Sequence, residues 1–379
     1  MISPSMKMVM TALVAACLGA CAQVNTPVVE KVTKPPALKP LTMSVGGRAL
    51  ITPAASGSGF GSEDYAAQWP GSYFEAAFKG TELYFRVGTA HEILHVVVDG
   101  QAPLVLKDPQ DGVYRISGLQ NTQHSIGIFV ATESQSAPNH FEGFSITAGE
   151  TGLARTKRLR QIEFIGDSLT VGYGNTSPRH ECTTDEVWAT TDNTQAAGPL
   201  TASHLHADYQ VNAISGRGIV RNYNGFAGDT LPTAYPYILF DKKQQYDDPA
   251  WKPQLLVIAL GANDFSTALN SGEKWKSRDE LRSDYEDTYV RFLQSLRAKN
   301  HAAYILLWGT GWANSENVSE EQRVVERMKA MGEKRIAFIS VKGLSFTGCH
   351  FHPSLADDKA MRDKLVQFID AHPEIWQGK

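Results

Sequence analysis

The sequence predicts an α/β protein in two parts. An N-terminal β-sandwich of jelly-roll type over 41–155 precedes a doubly wound parallel sheet over 156–379. Three observations predict it. The first half holds short β-branched and aromatic runs broken by Gly, Asp-Gly and Asn about every ten residues, the spacing of a sandwich. From 156 onward the runs become continuously apolar and alternate with helical patterns, as in a parallel sheet covered on both faces. The 379 residues, 42% of them hydrophobic, provide for two cores.

Residues 1–20 read as a signal peptide. Lys7 supplies the positive start and 8–20 (MVMTALVAACLGA) the short apolar stretch. The string Leu18-Gly19-Ala20-Cys21 resembles a bacterial lipobox, in which Cys21 is lipidated and becomes the new N-terminus. Ala rather than Asp at position 22 then implies the outer membrane, on its periplasmic or cell-surface side. The alternative is an ordinary signal peptide cleaved after Ala20 or Ala22, and both readings export the chain. Residues 21–40, rich in Pro, Val and Lys, read as the lipidated Cys followed by an extended linker.

In the sandwich, strands are expected at 81–88, 93–100, 102–108, 112–118 and 125–132. The aromatic run Trp69, Tyr73, Phe74 and Phe78 reads as sandwich core. His91-Glu92-Ile93-Leu94-His95 matches a zinc-binding pattern that requires a helix. Here it runs into VVVDG, and a strand sets i and i+4 roughly 13 Å apart, so no metal is expected. In the second half, strands are expected at 160–168, 210–216, 253–264, 303–311 and 335–341. Helices are expected at 277–300, with Leu281, Tyr285, Tyr289, Phe292 and Leu296 on one stripe, and at 318–333. Ser354 with Asp357 three residues on makes a capping box for a last helix through Phe368.

Charge excludes some functions. The chain has 36 Lys plus Arg against 40 Asp plus Glu and a net charge of −4. With no long basic run it carries no footprint for nucleic acid. It has no apolar stretch of about 18 residues, which excludes a polytopic membrane protein. Of four Cys, Cys17 leaves with the signal and Cys21 is the anchor. Cys182 and Cys349 remain, in an oxidising compartment, and are expected to form a disulfide.

The chemistry sits at the carboxyl ends of the parallel strands, where such sheets bind ligands. Gly166-Asp167-Ser168, Gly216, Gly261-Ala262-Asn263-Asp264 and His352-Pro353 all fall there. Ser168 at a strand-to-helix turn is a candidate nucleophile, with His352 as its base. The Ser168 N–H, the Gly216 N–H and the Asn263 amide are three candidate oxyanion donors. No G-x-S-x-G elbow occurs, which argues against the ordinary α/β-hydrolase.

These four blocks, in this order, resemble the SGNH or GDSL hydrolase superfamily over roughly residues 158–372. FIGDSLTVGYG (164–174) is close to its first block and GAND (261–264) to its third. With WPGSYFEAAFKG (69–80) and the VDG turn (98–100) upstream, the chain resembles carbohydrate esterase family 2, a jelly roll followed by an SGNH domain. The resemblance implies a serine esterase that removes O-acetyl groups from glucomannan or xylan, at hydroxyls such as the 6-position. It implies no metal or organic cofactor. The alternatives are a lipolytic or thioester hydrolase of the superfamily, or a catalytically inactive glycan-binding surface lipoprotein.

One position departs from the superfamily, whose acid is an Asp three residues before the His. Here that residue is Cys349. A backbone carbonyl or a remote carboxylate must orient His352, or the base is weaker; the resemblance implies the first option, in a Ser–His dyad. Trp308 and Trp312 follow a strand, and Trp312 is a candidate platform for a sugar ring, with packing at the cleft rim as the alternative.

Overall fold

The computed structural model describes residues 26–54, 60–310 and 315–377. Its N-terminal half is antiparallel throughout. The strands are β1 (Val28–Val32), β2 (Lys39–Leu41), β3 (Met43–Gly46), β4 (Ala49–Pro53), β5 (Glu63–Ala67), β6 (Tyr73–Gly80) and β7 (Leu83–Val87). They continue as β8 (Ile93–Val98), β9 (Leu104–Lys107), β10 (Gly112–Ser117), β11 (Thr122–Val130), β12 (Asn139–Ile146) and β13 (Thr151–Leu153). One sheet runs β1-β10-β7-β12-β5-β4, with β2 beside β12; the other runs β13-β6-β11-β8-β9, with β3 beside β6. Between them lies a core that includes Phe74, Phe78, Phe85, Phe141 and Phe144. Phe74 and Phe141 stack with centroids 4.2 Å apart.

Two expectations change here. The presumed linker contains β1, paired residue for residue with β10, and β2, paired with β12, so much of it belongs to the sandwich. A Val-Val-Glu-Lys-Val run has strand propensity, and the neighbouring Pro and Lys residues mask it. The aromatic run also divides. Phe74 and Phe78 fill the sandwich, whereas Trp69 and Tyr73 are buried in the cores of the second half. Tyr73 lies 4.7 Å from the Tyr209 ring.

Among its described residues the second half carries five parallel strands: β14 (Arg160–Gly166), β15 (Ala207–Ala213), β16 (Leu255–Ala259), β17 (Tyr304–Thr310) and β18 (Ile336–Val341). Their order is β15-β14-β16-β17-β18, so the winding reverses beside β14 and opens a crevice at the strands' carboxyl ends. The helices are α1 (Ser168–Val171), α2 (Thr184–Thr190), α3 (Ala197–His204), α4 (Leu231–Ala234), α5 (Arg278–Lys299), α6 (Glu316–Ala330) and α7 (Leu355–Ala371). The stripe on α5 and Val324, Val325 and Met328 of α6 cover one face, meeting Leu256 and Ile258 of β16. Ala197 and Ala202 of α3 and Met361, Leu365 and Ile369 of α7 cover the other, meeting Leu255 and Val257. The Ser354–Asp357 capping box is present, and α7 runs three residues past Phe368.

The halves are joined by a buried cation. Arg48, beside β4, donates to Glu163 of β14 at 3.3 Å and to the carbonyl oxygens of Tyr235 and Tyr237. Its guanidinium also lies 4.4 Å from the Tyr235 ring centroid and 4.5 Å from that of Tyr246. Glu163 accepts further bonds from Asn212 and Tyr235, each at 2.6 Å. A buried charge met by this many partners holds both halves in one register.

Candidate active site

Ser168 is the first residue of α1, directly after β14, and is 7% exposed. Asp167 caps the helix by accepting from the Leu169 N–H at 3.1 Å. The Ser168 N–H, as the first of the helix, has no carbonyl four residues back to meet.

His352 comes from the turn before α7. Its Nε2 lies 2.8 Å from Ser168 Oγ and its Nδ1 lies 2.9 Å from the carbonyl oxygen of Cys349. A carbonyl can only accept, so Nδ1 carries the proton and Nε2 presents its lone pair to the serine. That is the tautomer a general base needs, and it identifies the orienting group as main chain. Burial pushes the imidazole down to about 4, with the nearby His350 adding to the fall and the Cys349 carbonyl opposing it. Tyr173 lies over the ring, with centroids 4.3 Å apart.

The turn that carries His352 is held from several sides. Cys349 is bonded to Cys182. Its N–H donates to the Gly174 carbonyl at 3.2 Å, and the His350 N–H donates to the His180 carbonyl at 2.7 Å. Gly174 has φ of 56°, and a Cβ there would meet Cys349 Cβ at 2.4 Å, so only glycine admits this approach. His350 and Phe351 both lie in the left-handed region, at φ 51° and 60°. Such backbone persists only where its surroundings over-determine it. His350 Nε2 donates to the Cys182 carbonyl at 2.9 Å, leaving Nδ1 to accept from the Tyr173 hydroxyl at 3.0 Å.

Gly216 and Asn263 follow β15 and β16, the two strands flanking β14. Gly216 has φ of 80°, a turn that a side chain resists. Asn263 is buried, and its Nδ2 donates to Asp167 Oδ2 at 3.0 Å and to the Arg217 carbonyl at 2.9 Å. Both amide hydrogens therefore have partners in this conformation, and an acyl oxygen has to share one or displace the Arg217 carbonyl. Burial pushes Asp167 up to about 7 and Asp264 up to about 6. Asp264 accepts from the N–H groups of Ile219, Val220 and Arg221 at 2.8–2.9 Å, fixing the chain after Gly216.

Other candidates fall elsewhere. Trp308 is 4% exposed and packs in the core. Trp312, Cys21 and the signal peptide lie outside the described residues. His95 lies on β8, whereas His91 precedes it, faces Asp108 at 2.7 Å and stacks on Trp188. His95 Nδ1 lies 3.2 Å from the Thr194 hydroxyl, so the two imidazoles serve different neighbours. The main-chain carbonyl expected to orient His352 is that of Cys349, a choice of residue that leaves no trace in a sequence. One contributor escaped the sequence reading. Glu133, between β11 and β12, reaches across from the sandwich, and its Oε1 accepts from the Ser215 N–H at 2.8 Å.

Comparison with known proteins places this geometry. Residues 61–155 match the carbohydrate esterase 2 N-terminal family and residues 164–374 the GDSL-like lipase/acylhydrolase family. An acetylxylan esterase / glucomannan deacetylase of Cellvibrio japonicus (strain Ueda107) is 43% identical over 89% of this chain and 93% of its own. A solved carbohydrate esterase, described as having divergent catalytic and non-catalytic binding functions in its active site, is 42% identical with a TM-score of 0.84. That match covers 89% of this chain and 100% of the other. A family two carbohydrate esterase from Clostridium thermocellum, solved with cellohexaose, is 25% identical with a TM-score of 0.74, over 88% of this chain and 100% of its own. A serine and histidine in contact at a winding reversal, behind a matching sandwich and with such relatives along nearly the whole chain, make this protein a member of carbohydrate esterase family 2 within the GDSL-like hydrolases.

Proposed function

We propose that this protein is a serine esterase that removes O-acetyl groups from a plant polysaccharide, glucomannan or xylan, through an acetyl-enzyme. The observation that carries the reading is the 2.8 Å contact between Ser168 Oγ and the deprotonated Nε2 of His352. Ser168 attacks the acetyl carbonyl while Nε2 takes its proton. The imidazolium then protonates the departing sugar oxygen, leaving the acetyl group on Ser168 Oγ as an ester. Water, deprotonated by Nε2, attacks the acetyl-enzyme, and acetate leaves as Ser168 recovers its proton. The N–H groups of Ser168 and Gly216 and the Asn263 amide hold the oxyanion in both steps.

The 43% identity to an acetylxylan esterase / glucomannan deacetylase supports the substrate class. Acetate release from acetylated glucomannan and xylan, compared with Ser168→Ala, tests the reading. Release by wild type that the variant loses is the expected result. Silence of the wild type on both polymers and on nitrophenyl acetate overturns it in favour of glycan binding without catalysis.

Export and lipidation at Cys21 belong to the same proposal, supported by the Lys7 start, the apolar 8–20 stretch and the small residues before Cys21. Such an anchor would hold the enzyme at the outer membrane. Fatty-acid labelling that disappears in Cys21→Ser is expected; unlabelled wild type refutes it.

A further inference from the structure

We propose that Glu133 and Gln135, both on the sandwich, are positioning residues that aim the Gly216 N–H into the oxyanion hole. The inference rests on the esterase reading above and gives the sandwich a part in it. Residues 131–138 leave the sandwich between β11 and β12 and run beside the second domain. They are fixed at their start and again at Gln135. The Asn193 N–H donates to the Ala131 carbonyl at 2.8 Å and the Ile93 N–H to the Thr132 hydroxyl at 3.1 Å. Further along, Gln68 Nε2 donates to the Gln135 carbonyl at 3.4 Å.

From this frame two side chains grip Ser215. Glu133 Oε1 accepts from the Ser215 N–H at 2.8 Å. Gln135 Nε2 donates to the Ser215 carbonyl at 3.3 Å and to Glu133 Oε1 at 3.2 Å. The Ser215 carbonyl and the Gly216 N–H belong to one peptide unit, which is planar and trans. Its C=O and N–H therefore point in opposite directions. A donor holding the carbonyl on the sandwich side turns the N–H the other way, and the Glu133 bond fixes the preceding peptide plane.

The grip matters because the turn is otherwise free to rotate there. Gly216, at φ 80°, has the widest backbone freedom of any residue type. Its own domain anchors the turn at other atoms: the Arg217 N–H donates to the Ile214 carbonyl and the Tyr223 N–H to the Gly216 carbonyl. Asn263 donates to the Arg217 carbonyl. Each of these leaves the Ser215–Gly216 peptide plane to the sandwich.

The test is steady-state kinetics of the full chain on nitrophenyl acetate, which needs the oxyanion hole and has no sugar. Glu133→Ala and Gln135→Ala should each lower kcat roughly ten-fold with KM within about two-fold, a fraction of the 100- to 1000-fold lost with a whole oxyanion donor. Glu133→Gln keeps an oxygen that accepts from Ser215 and should restore kcat to within about three-fold of wild type. The double alanine variant should lose far less than the product of the single losses, because both side chains act on one turn. Thermal unfolding of each variant separates folding from positioning. Wild-type kcat in folded Glu133→Ala overturns the proposal, as does a Glu133→Ala loss that Glu133→Gln does not relieve. Wild type that hydrolyses no acetyl ester overturns the esterase reading and this one together; an active wild type with unaffected variants overturns only this one.

Discussion

Hydrolysis by this enzyme should persist far into acid, because its base is hard to protonate. His352 works only while neutral, and burial under Tyr173 and the turn holds it down to about 4. At pH 5 such a group is about nine-tenths neutral, whereas an unshifted imidazole near 6.5 would be about 3% neutral. The value of kcat/KM should therefore be nearly flat from pH 7 to 5 and bend close to 4. The perturbation that isolates the cause is Tyr173→Ala, which uncovers the ring and leaves both of its hydrogen bonds in place. Water then stabilises the imidazolium, and the acid limb should move up toward the ordinary value. The assay is acetate release across pH 3.5–7.5 at fixed ionic strength, with circular dichroism at each pH. That control is needed because the folded value lies below the unfolded one. Protons then favour the unfolded chain as pH falls from 6.5 through 4, and stability is lost across that window. An acid limb at 6 or above in wild type would refute the reasoning, and so would a limb that Tyr173→Ala leaves unmoved.

Asn263→Ala should lower kcat about 100- to 1000-fold on nitrophenyl acetate without loss of fold, since it removes an oxyanion donor; a change under about five-fold would remove Asn263 from that role. Cys182→Ser opens a bridge between residues 167 apart. In the chain-entropy model this costs about 5 kcal/mol, read from urea unfolding, and His352 should lose alignment, lowering kcat with little effect on KM. Arg48→Met leaves Glu163 its Asn212 and Tyr235 partners but removes the guanidinium paired with it, and should cost about 3–5 kcal/mol in the same measurement. Unchanged stability would show that the two halves do not depend on this buried cation for their union.

What was legible in the sequence had a period or a spacing behind it. The α5 stripe, the Ser354–Asp357 cap and the continuous apolar strands repeat at the interval their geometry demands, and each sits where expected. Ser168 and His352 were recoverable because a strand-to-helix turn and a last helix frame them. The remainder depends on pairing between distant segments. Nothing local distinguishes a Val-rich tether from β1, whose partner lies about eighty residues later in the chain. Trp69 and Tyr73 look like sandwich core because a sequence does not reveal that the sandwich has a second face to cover. The Asn263 amide was expected to face the substrate; that it already serves Asp167 and the Arg217 carbonyl depends on two loops meeting. Glu133 reads as one more loop carboxylate until Ser215 is set beside it.

The carbonyl of Cys349 has a consequence for genetics. In a triad, the residue that steadies the histidine can be deleted, and a scan of substitutions finds it. Here that service comes from an atom every amino acid possesses, so exchanging side chains at position 349 changes the bridge to Cys182 but always returns the same oxygen. A saturation library scored for activity should therefore report a core of Ser168, His352 and Asn263, with no further side chain that orients the histidine. Around it should lie a halo of sensitive positions, Gly174 and Cys182 among them, whose variants act by bending the main chain. Selection on such an enzyme acts on the path of a turn, and a lineage can acquire or lose the carboxylate of its relatives without passing through an inactive form, provided that path is kept.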